Sequence, residues 1–332
     1  MSVMALMVVL SFLSCSKDAD GYSGDVELGS NKLTIRTKAV SGGTTAMTVA
    51  TPINIYVFDS QDKCIAQKTL EAETDKVDMK LQAGKYKVYA VAGASSADYS
   101  LPKKDDATPQ SIIALNGGKQ HSDLMTATSD VTLVEGEDSD LTLLMQRKVL
   151  MLTTVNIADV PDDVTGISAT LSPLYENISL SGDYSGEHAS QTINLSKQND
   201  GTTWTADCNL FLLPSVGNPS VKFVFTTADG KKKTFTYASQ KPLVANYKVS
   251  INVNYLKVKE PTLKCNINGV DWAGTDVWSF DADERNFTVD GGGDEPGGGT
   301  VVEGSVPRVG TLYNGCYVLK TEQIGNNTVV TL

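Results

Sequence analysis

Histidine is scarce: 332 residues contain His121 and His188 alone. Hydrolytic chemistry near neutral pH usually needs a histidine beside a nucleophile. Both histidines fall in polar, loop-like stretches, and no G-x-S-x-G element holds a serine. Gly182-Asp-Tyr-Ser-Gly186 has the wrong spacing. No catalytic site is expected. The five cysteines, Cys15, Cys64, Cys208, Cys265 and Cys316, are scattered, with no C-x-x-C pair and no metal-ligand spacing. Cys208 and Cys265 can pair or stand as isolated thiols. No apolar run reaches the ~20 residues that span a bilayer. Basic residues are outnumbered, 28 Lys and Arg against 39 Asp and Glu, for a net charge of −11. A chain of that sign repels phosphate backbones, so no nucleic-acid partner is expected. Helical periodicity is absent as well. Nowhere do apolar residues recur at 3.6 spacing through three turns.

Carboxylates cluster twice, at Glu135, Glu137, Asp138 and Asp140, and at Asp281, Asp283 and Glu284. Paired carboxylates can support glycoside hydrolysis, but a general acid needs a raised pKa, and exposed loops give solvation instead. Hard cations such as calcium favour such clusters, but the EF-hand pattern is not met. No metal and no cofactor is expected.

The N-terminus is informative. The apolar run Val3–Leu13 has the length of a signal-peptide core. Phe12-Leu13-Ser14-Cys15 resembles a bacterial lipobox, whose cysteine becomes the acylated, palmitate-bearing end of the mature chain. The alternative is an ordinary signal peptide with Cys15 incidental. No Lys or Arg precedes the apolar run, so the start is expected a few residues upstream of Met1. Ser16-Lys-Asp-Ala-Asp20 resembles the signal that sends Bacteroidetes-type lipoproteins to the outward face of the outer membrane.

The rest reads as short strands with turn signals every ~8–12 residues, the pattern of β-sandwiches. Residues 16–30 form a tether. Residues 31–147 and 148–290 form an N-terminal and a C-terminal sandwich. Residues 291–300 are a glycine-rich linker. Residues 301–332 are a β segment, or the start of a truncated module. Thr108–Leu115 is expected to hold one helical turn. Thr203–Cys208 and Asn209–Leu213 read as two strands, and Asn266–Val289 reads as irregular.

Taken in order, the strand at Leu33–Thr37 and the runs INIYVFDSQDKCI, LQAGKYKVYAVAG, LTLLMQRKVLMLTTV and LVANYKVSINV resemble the fimbrillin superfamily. These are the type V pilus proteins of Bacteroidetes, and the likeness is to the lipid-retained anchor and minor-subunit branch. The resemblance implies an all-β chain of two tandem transthyretin-like β-sandwich domains. It implies assembly with other fimbrial subunits by donor-strand insertion, an exposed sheet edge templating an incoming strand. In shaft subunits of the superfamily the first strand is cut away after an arginine. Arg36 lies where such proteolytic processing could fall, and the alternative is a strand arginine facing solvent. A cut there would free the chain from its lipid at Cys15. Trp272 and Trp278 are candidate ligand contacts for a host protein or glycan, the alternative being cover for the open end of the second sandwich.

The expectation is therefore a lipid-anchored subunit of the cell outer membrane and its fimbriae, serving as anchor, minor or tip component in pilus assembly and cell adhesion. The competing expectation is an outer-membrane glycan-binding lipoprotein. An enzymatic reading survives only in the C-terminal segment.

Overall fold

The computed structural model describes residues 26–40, 48–256, 274–283 and 287–290, and the backbone at 312–313, 316–317, 320–324 and 327–331. Every regular element among the described residues is a β-strand.

The first half contains β1 (Val26–Glu27), β2 (Asn31–Ala39), β3 (Ile53–Phe58), β4 (Cys64–Leu70) and β5 (Val77–Leu81). It continues with β6 (Gly84–Ala92), β7 (Tyr99–Ser100), β8 (Ile112–Leu115), β9 (Met125–Leu133) and β10 (Ser139–Arg147). All but β7 and β8 form one sheet, ordered β1-β5-β2-β10-β9-β6-β3-β4. β10 pairs with β2 from Ser139 to Met145 but meets β9 only at Gln146 and Arg147. The sheet folds over at that corner into two layers. Alternate side chains meet between them: Leu33, Ile35, Met79, Leu81, Leu143 and Met145 from one layer, Ile55, Val57, Val88 and Ala90 from the other. Each large aliphatic side chain buried this way contributes roughly 1.5–3 kcal/mol. β3 is buried on both faces, which explains its unbroken run INIYVF. Ile53, Ile55 and Val57 enter this core, while Tyr56 and Phe58 enter another.

The second half contains β11 (Leu150–Ala158), β12 (Val164–Leu174), β13 (Asn177–Ser179), β14 (Tyr184–Ser185), β15 (Ala189–Lys197) and β16 (Trp204–Leu212). It continues with β17 (Ser215–Thr227), β18 (Lys232–Ala238), β19 (Tyr247–Leu256), β20 (Gly274–Asp283) and β21 (Thr288–Asp290). Its sheet is ordered β20-β19-β11-β16-β15-β12-β17-β18-β21. It folds over between β15 and β16, which pair only at Ser196–Thr205 and Lys197–Trp204. Its core is more aromatic, built on Phe223, Phe225, Phe235, Tyr255, Trp278 and Phe280.

The halves are joined by a small sheet, β14-β13-β8-β7, in which Ile112 and Ile113 pair with Ser179 and Ile178. Beneath it lies a third core with Tyr56, Phe58, Tyr89, Tyr99 and Leu124 from the first half and Val149, Ile178, Leu180 and Leu213 from the second. Near the C-terminus, β22 (Leu312–Tyr313) pairs with β23 (Cys316–Tyr317), and β24 (Lys320–Ile324) with β25 (Asn327–Thr331).

Three expectations need correction. The helical turn at Thr108–Leu115 is a tight turn followed by β8: the Thr108 amide donates to Ser111 Oγ, and the Ser111 amide to the Thr108 carbonyl. The two strands expected at Thr203–Leu213 are one strand, β16. Its register slips opposite Leu152–Thr154, where Asn209 takes a left-handed φ of 47°. Such a bulge breaks the alternation that marks a continuous strand. The segment read as irregular contains β20.

Candidate functional site: a seam between sandwich layers

The two large sheets repeat one plan. Layers β5-β2-β10 and β9-β6-β3-β4 in the first correspond to β16-β11-β19 and β18-β17-β12-β15 in the second. In each, the opening strand pairs in parallel with the closing strand, β2 with β10 and β11 with β19. Each half therefore has a seam, where the closing strand parts from the strand before it and the two layers separate.

In the second half the chain fills this seam itself. β20 runs parallel to β19 from the pair Tyr247–Gly274 to the pair Leu256–Asp283. Alternate side chains turn inward, leaving Trp278 and Phe280 each 4% exposed and Ala282 fully buried. Phe280 reaches across the seam to β18, stacking on Tyr237 with ring centroids 4.0 Å apart and lying 6.1 Å from Phe235. β21 then adds antiparallel to β18 at Lys232–Thr234. Phe287, just before β21, stacks on Phe225 at 5.1 Å. Under this cover the inward residues of β19, Val249, Ile251, Val253 and Tyr255, are buried.

In the first half the same seam carries no third strand among the described residues. β9 and β10 join at Thr126–Gln146 and Met125–Arg147, then diverge toward the turn at 134–138. From Ser139 to Met145, the side of β10 away from β2 has no ladder partner there. The side of β9 away from β6 has none from Ala127 to Leu133. Val131 and Leu141 pack on the core yet stay half-buried, and Val134 at the mouth is 52% exposed. A strand edge of this kind is a template for another strand, since its free N–H and C=O groups can bond an extended backbone.

The N-terminal strand is held firmly beside that edge. β1 lies on one side of β5 and β2 on the other, so the chain rounds the end of β5 at Leu28–Ser30. A Cβ on Gly29 would sit 2.2 Å from the Leu81 carbonyl carbon, so only glycine fits the approach. Arg36 is exposed in mid-strand, with Nη1 donating to Asp140 Oδ1 on β10 at 2.7 Å. Its neighbours Ile35 and Thr37 are buried and paired with Leu141 and Leu143.

The tryptophan expectation is corrected in part. Trp278 lies in the core beside Tyr237, at 6.2 Å, and its face is closed to a ligand. Trp272 and Cys15 lie outside the described residues, as do Cys265 and Glu284. Cys64 is buried and Cys208 half-buried, both as free thiols. Burial pushes the Cys64 thiol up to about 11. Among the described residues no group of three or more His, Cys, Asp or Glu could hold a metal ion. Both histidines are placed. His188 sits in an exposed loop, its amide donating to Glu176 Oε1. His121 bridges to Phe211 of the second half, its Nδ1 3.4 Å from Tyr99 Oη, and burial pushes its pKa down to about 4. The same Tyr99 hydroxyl lies 3.2 Å from Ser122 Oγ.

The sequence carries one signal of the strand that fills the second seam. Trp278, Phe280 and Ala282 alternate with Ser279 and Asp281, as a one-sided strand requires.

The repeated sandwich with a parallel closing strand and an added edge strand defines an all-β class of tandem sandwich module. The sequence from residue 20 to residue 277 matches the family of fimbrillin-A associated anchor proteins Mfa1 and Mfa2, and the chain belongs to that family. It is a fimbrial protein of the anchor or adhesin type. Among solved structures it is similar to the fimbrial anchor protein Mfa2 from Porphyromonas gingivalis, at 16% identity and a TM-score of 0.48, over 62% of this chain and 81% of that one. It is also similar to the tip fimbrial protein Mfa3 from Porphyromonas gingivalis, at 16% identity and a TM-score of 0.36, over 63% and 81% of the two chains. No curated protein matches the sequence.

Proposed function

We propose that the chain is an outer-membrane fimbrial subunit, an anchor or minor component, tethered outward by a lipid on Cys15 and joined to other subunits by strand addition at the first-half seam. The observation that carries this reading is the contrast between two equivalent seams, one closed by β20 and one with, among the described residues, an unpaired edge along Ser139–Met145. Main-chain bonds to such an edge supply affinity, and pockets for alternate side chains supply specificity.

Arg36 stays uncut on this reading. A cut after it would remove Asn31–Arg36 and strip Leu33 and Ile35, both fully buried, from the first core. Losing one such side chain costs about 2–5 kcal/mol, and losing the strand costs more. The chain keeps its tether as a result. The glycan-binding alternative loses Trp278 as a platform residue, since that ring is buried.

Intact-mass spectrometry of the protein extracted from native outer membranes tests the proposal. The expected species begins at an acylated Cys15 and retains Arg36–Thr37. A lipid-free species beginning at Thr37 would overturn the anchor reading in favour of a processed, polymerising subunit.

A further inference from the structure

Three turns meet at the end of the first sheet opposite the Met125–Arg147 corner: Leu28–Ser30, the turn between β3 and β4, and the turn between β5 and β6. A cleft of about 400 Å³ opens among them, and no residue of β9 or β10 lines it. Ligand sites run from about 300 to 1,000 Å³, so this one suits a small ligand rather than an extended strand. The cleft depends on position 84. A Cβ built on Gly84 would stand 3.6 Å from the Tyr86 hydroxyl, with only Tyr86 side-chain atoms as nearest neighbours, so a side chain there would occupy the space.

The lining has two kinds of surface. Leu28, 48% exposed, supplies an apolar wall with the half-buried Ile65 and Tyr86. Beside it stand two neutral amides, Gln61 and Gln82, and one charge of each sign, Asp59 and Lys85. The polar groups are held in place. Asp59 Oδ1 accepts from the Gln61 and Lys63 amides at 2.9 and 3.0 Å, and the Tyr86 hydroxyl donates to the Gln82 carbonyl at 2.9 Å. Burial, and then the Asp59 charge, push the Tyr86 phenol above its usual range, so it remains a neutral hydroxyl. Balanced charge in a chain of net charge −11 gives no attraction to an anion. A purely apolar ligand would bury the amides and the carboxylate without partners. A ring with an apolar face and an edge of hydroxyls satisfies both surfaces. The adjoining strands also lead away from the cleft. β1 runs parallel to β5, toward the cleft, so the chain enters β1 at the far end, and β2 runs in the opposite sense to leave at Val40.

We propose that this cleft binds a neutral mono- or disaccharide, whose apolar ring face rests on Leu28, Ile65 and Tyr86 and whose hydroxyls bond Asp59, Gln61 and Gln82. The inference goes beyond the anchor role and does not depend on strand addition at the seam, so the failure of either leaves the other standing.

The test uses the full chain and saturation-transfer NMR with glucose, galactose, N-acetylglucosamine, lactose and cellobiose, and with glucuronate as the anionic counterpart. At least one neutral sugar is expected to bind with a millimolar Kd or tighter. Gly84→Ile fills the cleft, and Gln61→Ala combined with Gln82→Ala removes two exposed amides outside the core. Each variant is expected to weaken binding about tenfold or more at an unchanged Tm. The double variant keeps the test decisive even where Gly84→Ile fails to fold. No binding by any neutral sugar, binding that the double variant leaves intact, or a preference for glucuronate would overturn the proposal. A photo-cross-linking residue at Ser60, on the lining, that captures residues 257–273 or 291–332 of the same chain would also overturn it, because the occupant would then be the chain itself.

Discussion

At the residue scale, two arginines on neighbouring strands show how burial decides the value of an ion pair. Arg147 grips Asp123 with two bonds, Nε at 2.5 Å and Nη2 at 2.6 Å, and donates to Asn246 at 3.2 Å, with its side chain 7% exposed. It thus pins the corner of the first sandwich to the second half. Arg147→Ala leaves the Asp123 carboxylate without its main partner, a loss of about 3 kcal/mol in urea unfolding. Arg36 and Asp140 are 49% and 72% exposed, so Arg36→Ala should change stability by less than about 1 kcal/mol. His121 adds a pH dependence. Its folded pKa of about 4 lies below the ordinary 6.5, because burial disfavours the imidazolium. The unfolded chain therefore takes up a proton that the folded chain refuses, and stability falls as pH drops from about 6.5 to about 4. The loss is at most on the order of 3 kcal/mol. Thermal melts across that window should show a slope that His121→Gln flattens; an unchanged slope would remove His121 as its source.

At the scale of elements, β20 should behave as an integral core strand. Phe280→Ala deletes the ring stacked on Tyr237 and should cost about 3–5 kcal/mol, with amides of β19 and β20 exchanging faster while β2 and β10 are unaffected. Unchanged exchange in β19 would show that β20 contributes little. Which elements could be read from the sequence follows from their surroundings. β3 and β6 announce themselves through dense apolar runs, and the β17–β18 hairpin through Thr227–Lys231, where the Thr227 amide donates to the Lys231 carbonyl. Antiparallel neighbours joined by tight turns leave such local marks. β20 leaves fewer. Its partner β19 is parallel and separated by residues 257–273, so no turn flags the pairing, and Asp276, Asp281 and Asp283 dilute its apolar residues. The first-half seam leaves no local mark either: β9 and β10 are consecutive strands across the turn 134–138 and read like an ordinary hairpin, although they pair only at Thr126–Gln146 and Met125–Arg147. Trp278 stands as a candidate ligand contact in the sequence because composition alone cannot separate an exposed ring from one buried beside β18.

At the scale of the whole molecule, the duplicated plan makes the chain asymmetric in a useful way. One sandwich is closed by its own strand, and among the described residues the other keeps an unpaired edge on β10, the strand that pairs with β2. The third core and the β14-β13-β8-β7 sheet hold the two halves together through packed side chains. The most direct test places a photo-cross-linking amino acid at Leu141, half-buried on β10, in cells that assemble fimbriae. The account predicts a covalent adduct whose partner peptide is an extended segment of another fimbrial subunit, and no adduct from Val249 on β19, which β20 covers. Assembled fimbriae that contain the protein but give no subunit adduct at Leu141 would contradict it.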